Sequence, residues 1–160
     1  MRNPPPAGWP QATSSIFYRD AAKAIDWLRD AFGFEVRLKV EGEPGEPGEI
    51  IYSELVYGSG VISVSAAAKP GEAFEPGREF KAKHASPLDV DGRVTQAICM
   101  FVDDADAHCA QARAHGATIS SEPATHDYGD DYWSDRSYGA LDCEGHAWWF
   151  MHRVRDQPAK

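Results

Sequence analysis

The sequence predicts an α+β fold in which one βαβββ module is used twice, and three observations lead there. Two stretches carry apolar residues at helical spacing, each opening after an acidic residue and closing on a glycine. The same interval separates Asp20 from Gly33 and Asp103 from Gly116. An aromatic–polar strand precedes each acid, and three strands follow each glycine. A repeated unit explains a chain of 160 residues better than one irregular domain does.

Residues 1–11 read as a proline-rich extended arm, because proline has no backbone donor and cannot sit inside a helix or a central strand. The first module covers 12–68. Ala12–Tyr18 is its first strand; Asp20 caps a helix whose Ala24, Ile25, Leu28, Ala31 and Phe32 share a face, and Gly33 stops it. Phe34–Val40 alternates as a strand, and Glu41–Glu49, with its Gly, Pro and acids, is a turn. Ile50–Tyr57 and Val61–Ala67 form a hairpin across Gly58-Ser59-Gly60. Residues 69–93 mix charge, Pro and Gly without periodicity and read as a linker, long enough to be functional or disordered. The second module, 94–154, repeats the order: strand Val94–Val102, helix Asp104–His115 with Gly116 as its stop, strand Ala117–Ser121, and a closing hairpin of Tyr138–Leu141 and His146–His152.

Composition narrows the function. The chain is 42% hydrophobic and 26% charged, ordinary for a globular protein, and its formal net charge is −9. Phosphate backbones need a basic face, so nucleic acid and anionic membrane surfaces are excluded as partners, and a neutral or cationic small ligand is left open. The three cysteines, Cys99, Cys109 and Cys143, are widely spaced and fit a reducing compartment better than a disulfide framework. No apolar run approaches the ~20 residues of a membrane span, and the arm lacks the apolar core of a signal peptide. The expected location is cytoplasmic.

Three segments carry a resemblance. FYRDAAKAIDWLRDAFGFEV (Phe17–Val36), FVDDADAHCAQARAHGATI (Phe101–Ile119) and GDDYWSDRSYGALDCEGHAWWF (Gly129–Phe150) resemble the glyoxalase/bleomycin-resistance/extradiol-dioxygenase superfamily, also called vicinal oxygen chelate. The third is most similar to its PhnB-like branch. The resemblance implies two βαβββ modules whose mixed sheet curls around a cleft, often completed by a dimer partner, so a homodimer is expected. It also implies a divalent metal held by four His or Glu residues, on the first and last strands of each module. Carried over singly, those positions fall at Thr13, near Ser63, at Ala97 (or Gln96 if the register slips by one) and at Trp149. Hydroxyls, a methyl and an indole do not ligate a divalent cation. The expectation is therefore no metal and no other cofactor; a divalent metal ion held by displaced ligands is the alternative.

Other residues could serve the cleft. Glu54 lies on the third strand of the first module and could point inward as a general acid or base. His108, His115, His146 and His152 are isolated, with no HExxH pair, and a solvated or structural role is the simpler reading of each. The last module concentrates Tyr128, Tyr132, Trp133, Tyr138, Trp148 and Trp149. Strand alternation lets only one of Trp148 and Trp149 face the cleft, and the family register gives Trp149. Arg136 either anchors the loop through a nearby acid or meets a ligand carboxylate. There is no GxSxG elbow, and the Gly58–Gly60 turn precedes no helix that would make it a phosphate loop. The ligand-binding residues expected are Thr13, Glu54, Ser63, Gln96, Tyr132, Trp133, Arg136 and Trp149. The function expected is metal-free binding or sequestration of a small aromatic or cationic molecule, with a metal-dependent lyase, isomerase or dioxygenase as the alternative.

Overall fold

The computed structural model describes residues 3–42, 50–72 and 83–157, which fall into two compact units dividing between Gly92 and Arg93. The first holds β1 (Ser14–Tyr18), α1 (Ala21–Phe32), β2 (Glu35–Glu41), β3 (Ile50–Tyr57) and β4 (Gly60–Ala66). The second holds β5 (Ala97–Phe101), α2 (Ala105–Ala114), β6 (Thr118–Asp127), β7 (Ser134–Leu141) and β8 (Ala147–Arg155). Each makes a four-stranded mixed sheet, ordered β1-β4-β3-β2 and β5-β8-β7-β6. The first and last strands of each module run parallel and the other pairs antiparallel. This is the predicted α+β architecture, with the same module twice. The Glu41–Glu49 turn lies largely outside the described residues.

In the first unit, Asp20 accepts from Lys23 N at 3.0 Å and caps α1, while Gly33 ends it in the left-handed region at φ 75°. The buried stripe Ala24, Ile25, Leu28 and Phe32 packs on one sheet face with Ile16, Tyr18, Leu55 and Val64. Each large side chain so buried contributes about 1.5–3 kcal/mol. Residues 83–92 are held to the ends of β4 and β1: the Ala68 N–H donates to the His84 carbonyl at 3.0 Å, and Arg19 pairs with Asp89 at 2.5 Å beside a 3-10 turn at Pro87–Asp89.

In the second unit, α2 lies over Tyr138, Trp148 and Phe150. The His108 ring stands 4.5 Å from Phe150, its Nδ1 is 2.6 Å from Tyr138 Oη, and Trp148 and Phe150 are stacked. Trp148 is 2% exposed and anchors this core, with its Nε1 donating to Asp142 Oδ2 at 3.0 Å. The cap of α2 is Asp104, which accepts from Asp106 N and Ala107 N, and the helix closes at His115. Three strands run longer than expected. β6 continues past Ser121 to Asp127, through one register shift before Ser121 and one that spans Pro123; β7 begins at Ser134 rather than Tyr138, and β8 runs to Arg155 rather than His152. As an edge strand, β6 tolerates a proline that a central strand would not.

Candidate functional site

The face of each sheet away from its helix carries the chemistry, and the caps fix which positions correspond. Counted back from Asp20 and Asp104, Ser15 matches Cys99 and Thr13 matches Ala97, so Ala97 and not Gln96 is the structural counterpart of Thr13. Across the sheets, Ser15 pairs with Ser63 and Ser63 with Glu54; Cys99 pairs with Trp149 and Trp149 with Gly139. The two modules thus present a Ser–Ser–Glu row and a Cys–Trp–Gly row at the same places.

In the first unit that row is satisfied internally. Ser63 Oγ donates to Ser15 Oγ at 2.7 Å. Glu54 is only 7% exposed; its carboxylate accepts from Arg37 Nε at 2.7 Å and from Tyr52 Oη at 3.1 Å. Burial, reinforced by this hydrogen bond to Glu54, pushes the Tyr52 phenol above its ordinary value. Arg37 also donates to the Gly8 carbonyl and lies over the Trp9 ring at 4.8 Å, pinning the arm. A groove of about 670 Å³ results, lined by Trp9, Pro10, Glu35, Arg37, Val56 and Ser59. Thr13 is exposed just ahead of β1.

In the second unit the corresponding face is open and aromatic. The half-buried Trp149 lies across Gly139, where an added Cβ would stand 3.0 Å from Cζ3 and 2.8 Å from Ser120 Oγ. Glycine is what lets the indole lie on the strand. His126 is 6.5 Å from Trp149, and Cys99 and Phe101 are exposed on the neighbouring strand. Tyr132 and Trp133 sit in the β6–β7 turn, packed edge to face at 6.1 Å. Arg153 crosses to Trp133 at 5.5 Å and is held by the buried Asp135 at 2.5 Å.

Arg136 stands on the other face, the one α2 covers, in an ion pair with Asp106 that holds the Asp106 carboxyl below the usual range. Gln96 is exposed ahead of β5. Among the sequence candidates, Glu54 and Ser63 share one row of the first unit, and Trp149 and Trp133 lie in the second unit. Arg37, Tyr52, Gly139, Phe101 and Arg153 escaped the sequence reading. The signal for Gly139 was an isolated glycine inside a strand, and for Phe101 the aromatic preceding the helix cap by three, as Phe17 precedes Asp20.

A divalent metal does not fit these positions. Thr13, Ser63, Ala97 and Trp149 offer two hydroxyls, a methyl and a ring that only donates. The nearby Glu54 carboxylate already bonds Arg37 and Tyr52, and among the described residues no three His, Cys, Asp or Glu side chains converge to hold a metal ion.

The Glyoxalase/Bleomycin resistance protein/Dioxygenase superfamily model matches residues 11–150. TioX from Micromonospora sp. ML1 is 25% identical, with a TM-score of 0.62 over 89% of this chain and 97% of that one. A glyoxalase/bleomycin resistance protein/dioxygenase family enzyme from Burkholderia phytofirmans PsJN is 22% identical, with a TM-score of 0.60 over 89% and 97%. The fosfomycin resistance protein FosX from Listeria monocytogenes is 11% identical, with a TM-score of 0.56 over 89% and 92%; these last two bear on the fold alone. No curated protein sequence matches the chain. Among the described residues no helix is long and apolar enough to cross a membrane.

Proposed function

The chain belongs to the glyoxalase/bleomycin resistance protein/dioxygenase superfamily, and on that footing we propose that it binds or sequesters a small planar aromatic molecule, neutral or cationic, without a metal ion. One observation carries this: Trp149, which the resemblance aligns with the superfamily's last metal ligand, sets a half-buried indole on the bare backbone of Gly139. An indole face on an open sheet recruits flat or cationic groups by stacking and cation–π attraction, about 0.5–2 kcal/mol for each contact. The formal charge of −9 favours a cationic or neutral ligand over an anionic one. The run from Gly129 to His146 further supports placement in the PhnB-like branch.

The test is calorimetric titration with planar aromatic compounds of each charge, with and without added Zn²⁺, Ni²⁺, Mn²⁺ or Fe²⁺. Binding is expected for neutral and cationic rings, unchanged by metal and weakened about tenfold by Trp149→Ala in a chain that still folds. Stoichiometric metal retained through desalting, with binding that depends on it, would sink the proposal and return the metal-dependent lyase or dioxygenase reading.

A further inference from the structure

The internal repeat supplies a template for what the open face of the second unit takes. Aligned on their caps, the modules make Phe17 and Phe101 equivalent, and the strand registers agree: Phe17 pairs with Ser65 on β4 and Phe101 with Met151 on β8, each two places beyond the Ser63 and Trp149 positions. In the first unit the chain stacks a flat heteroaromatic ring on this phenylalanine. The His84 imidazole lies 4.0 Å from the Phe17 centroid at 28°. In the second unit Phe101 is 54% exposed, and among the described residues no ring stacks on it.

Arg153 is what stands beside Phe101, its guanidinium carbon 5.3 Å from the ring centre. The side chain is fixed, because Nε donates to Asp135 Oδ1 at 2.5 Å and Nη1 to Asp156 Oδ1 at 3.1 Å. Its Nη2 has no hydrogen-bond acceptor among the described residues. With two aspartates on one guanidinium, a further full anion meets net negative charge, whereas a neutral carbonyl oxygen can accept from Nη2 without that repulsion.

We infer that the ligand's ring stacks on Phe101 as His84 stacks on Phe17, and that it carries a neutral carbonyl oxygen taken by Arg153 Nη2. The ligand class is then a planar aromatic amide, lactam or related carbonyl compound. This rests on the binding function proposed for the Trp149 face and adds the chemistry that face selects.

The experiment titrates the intact chain with naphthamide, naphthoate and naphthalene, matched in ring and differing in the acceptor. Naphthamide is expected to bind about three- to tenfold tighter than either of the others, the scale of one net hydrogen bond. Phe101→Ser should weaken all three about three- to tenfold through lost stacking. Since Arg153→Met alone would strand the buried Asp135 charge and could unfold the sheet, the double variant Asp135→Asn/Arg153→Met is used as well. It should erase the advantage of naphthamide over naphthalene. Equal affinities for naphthamide and naphthalene, naphthoate binding tightest, or Phe101→Ser without effect would each overturn the inference. If Trp149→Ala still weakens every probe in those cases, the Trp149 proposal survives alone; if no probe binds the intact chain, both fail. Sedimentation in which Phe101→Ser splits a dimer would also overturn the inference, by assigning Phe101 to a subunit contact.

Discussion

A Cβ at Gly139 would stand 2.8 Å from Ser120 Oγ and 3.0 Å from Trp149 Cζ3, so Gly139→Ala must displace the Ser120 hydroxyl and push the indole off the strand. Overpacking of this kind costs about 1–3 kcal/mol. A lowered melting temperature, an altered near-ultraviolet tryptophan signal and weaker binding of planar ligands are expected together; an unchanged tryptophan signal would mean that the ring does not rest on Gly139. Tyr52 supplies the pH test. Burial and the bond to Glu54 raise its folded-state pKa above the unfolded phenol near ~10. The stability it contributes is therefore fully present below ~pH 10 and is lost as pH rises through the folded value. Denaturant titrations should show the intact chain losing its advantage over Tyr52→Phe only on the alkaline side; a gap that is constant with pH would remove the phenol from the account. At this scale the sequence was readable for residue type and opaque for pairing. Glu54 was recognisable as a carboxylate on the right strand. That Arg37 and Tyr52 would occupy its oxygens depends on strand register, which local pattern does not reveal.

The helices were the most legible elements, because cap chemistry and the 3.6-residue period are local. Even so, the repeat interval does not carry over to the caps. Asp103 to Gly116 matches Asp20 to Gly33 in length, whereas Asp104 makes both cap bonds and α2 closes at His115. Asp104→Ala should cost about 1 kcal/mol, and Asp103→Ala should fall within about 0.5 kcal/mol of the parent, as judged by urea unfolding. Equal costs would mean that the Asp104 bonds do not set the start of the helix. The strand ends were less legible for a physical reason. Proline cannot donate to a ladder, yet β6 is an edge strand and shifts its register across Pro123, so β7 gains the partners that carry it back to Ser134. β2 taught the complementary lesson. Its alternation suits a half-buried strand, but at the edge of the sheet it is exposed along its whole length.

The two modules share one topology and diverge in what fills corresponding points, which is how one fold hosts different chemistries. Module duplication was visible in the sequence because caps and strand order recur. The contrast between a satisfied Glu54 row and an open Trp149 face became visible only once the registers were known. One whole-molecule expectation rests on edges. β2 carries Val36, Leu38 and Val40, each about two-fifths exposed, beside the more exposed Ile51 of β3. An apolar edge with unpaired backbone groups is an aggregation hazard unless something covers it, and a two-fold mate is the commonest cover. We therefore expect a homodimer of the 17.6 kDa chain that uses this edge. Equilibrium sedimentation at micromolar concentration should give twice the chain mass. Leu38→Lys should move the equilibrium toward monomer without lowering monomer stability, since Leu38 is exposed within its own chain. A parent that sediments as a monomer would leave Lys39 and Glu41, paired at 2.7 Å along the same strand, as the charges that keep an uncovered edge soluble.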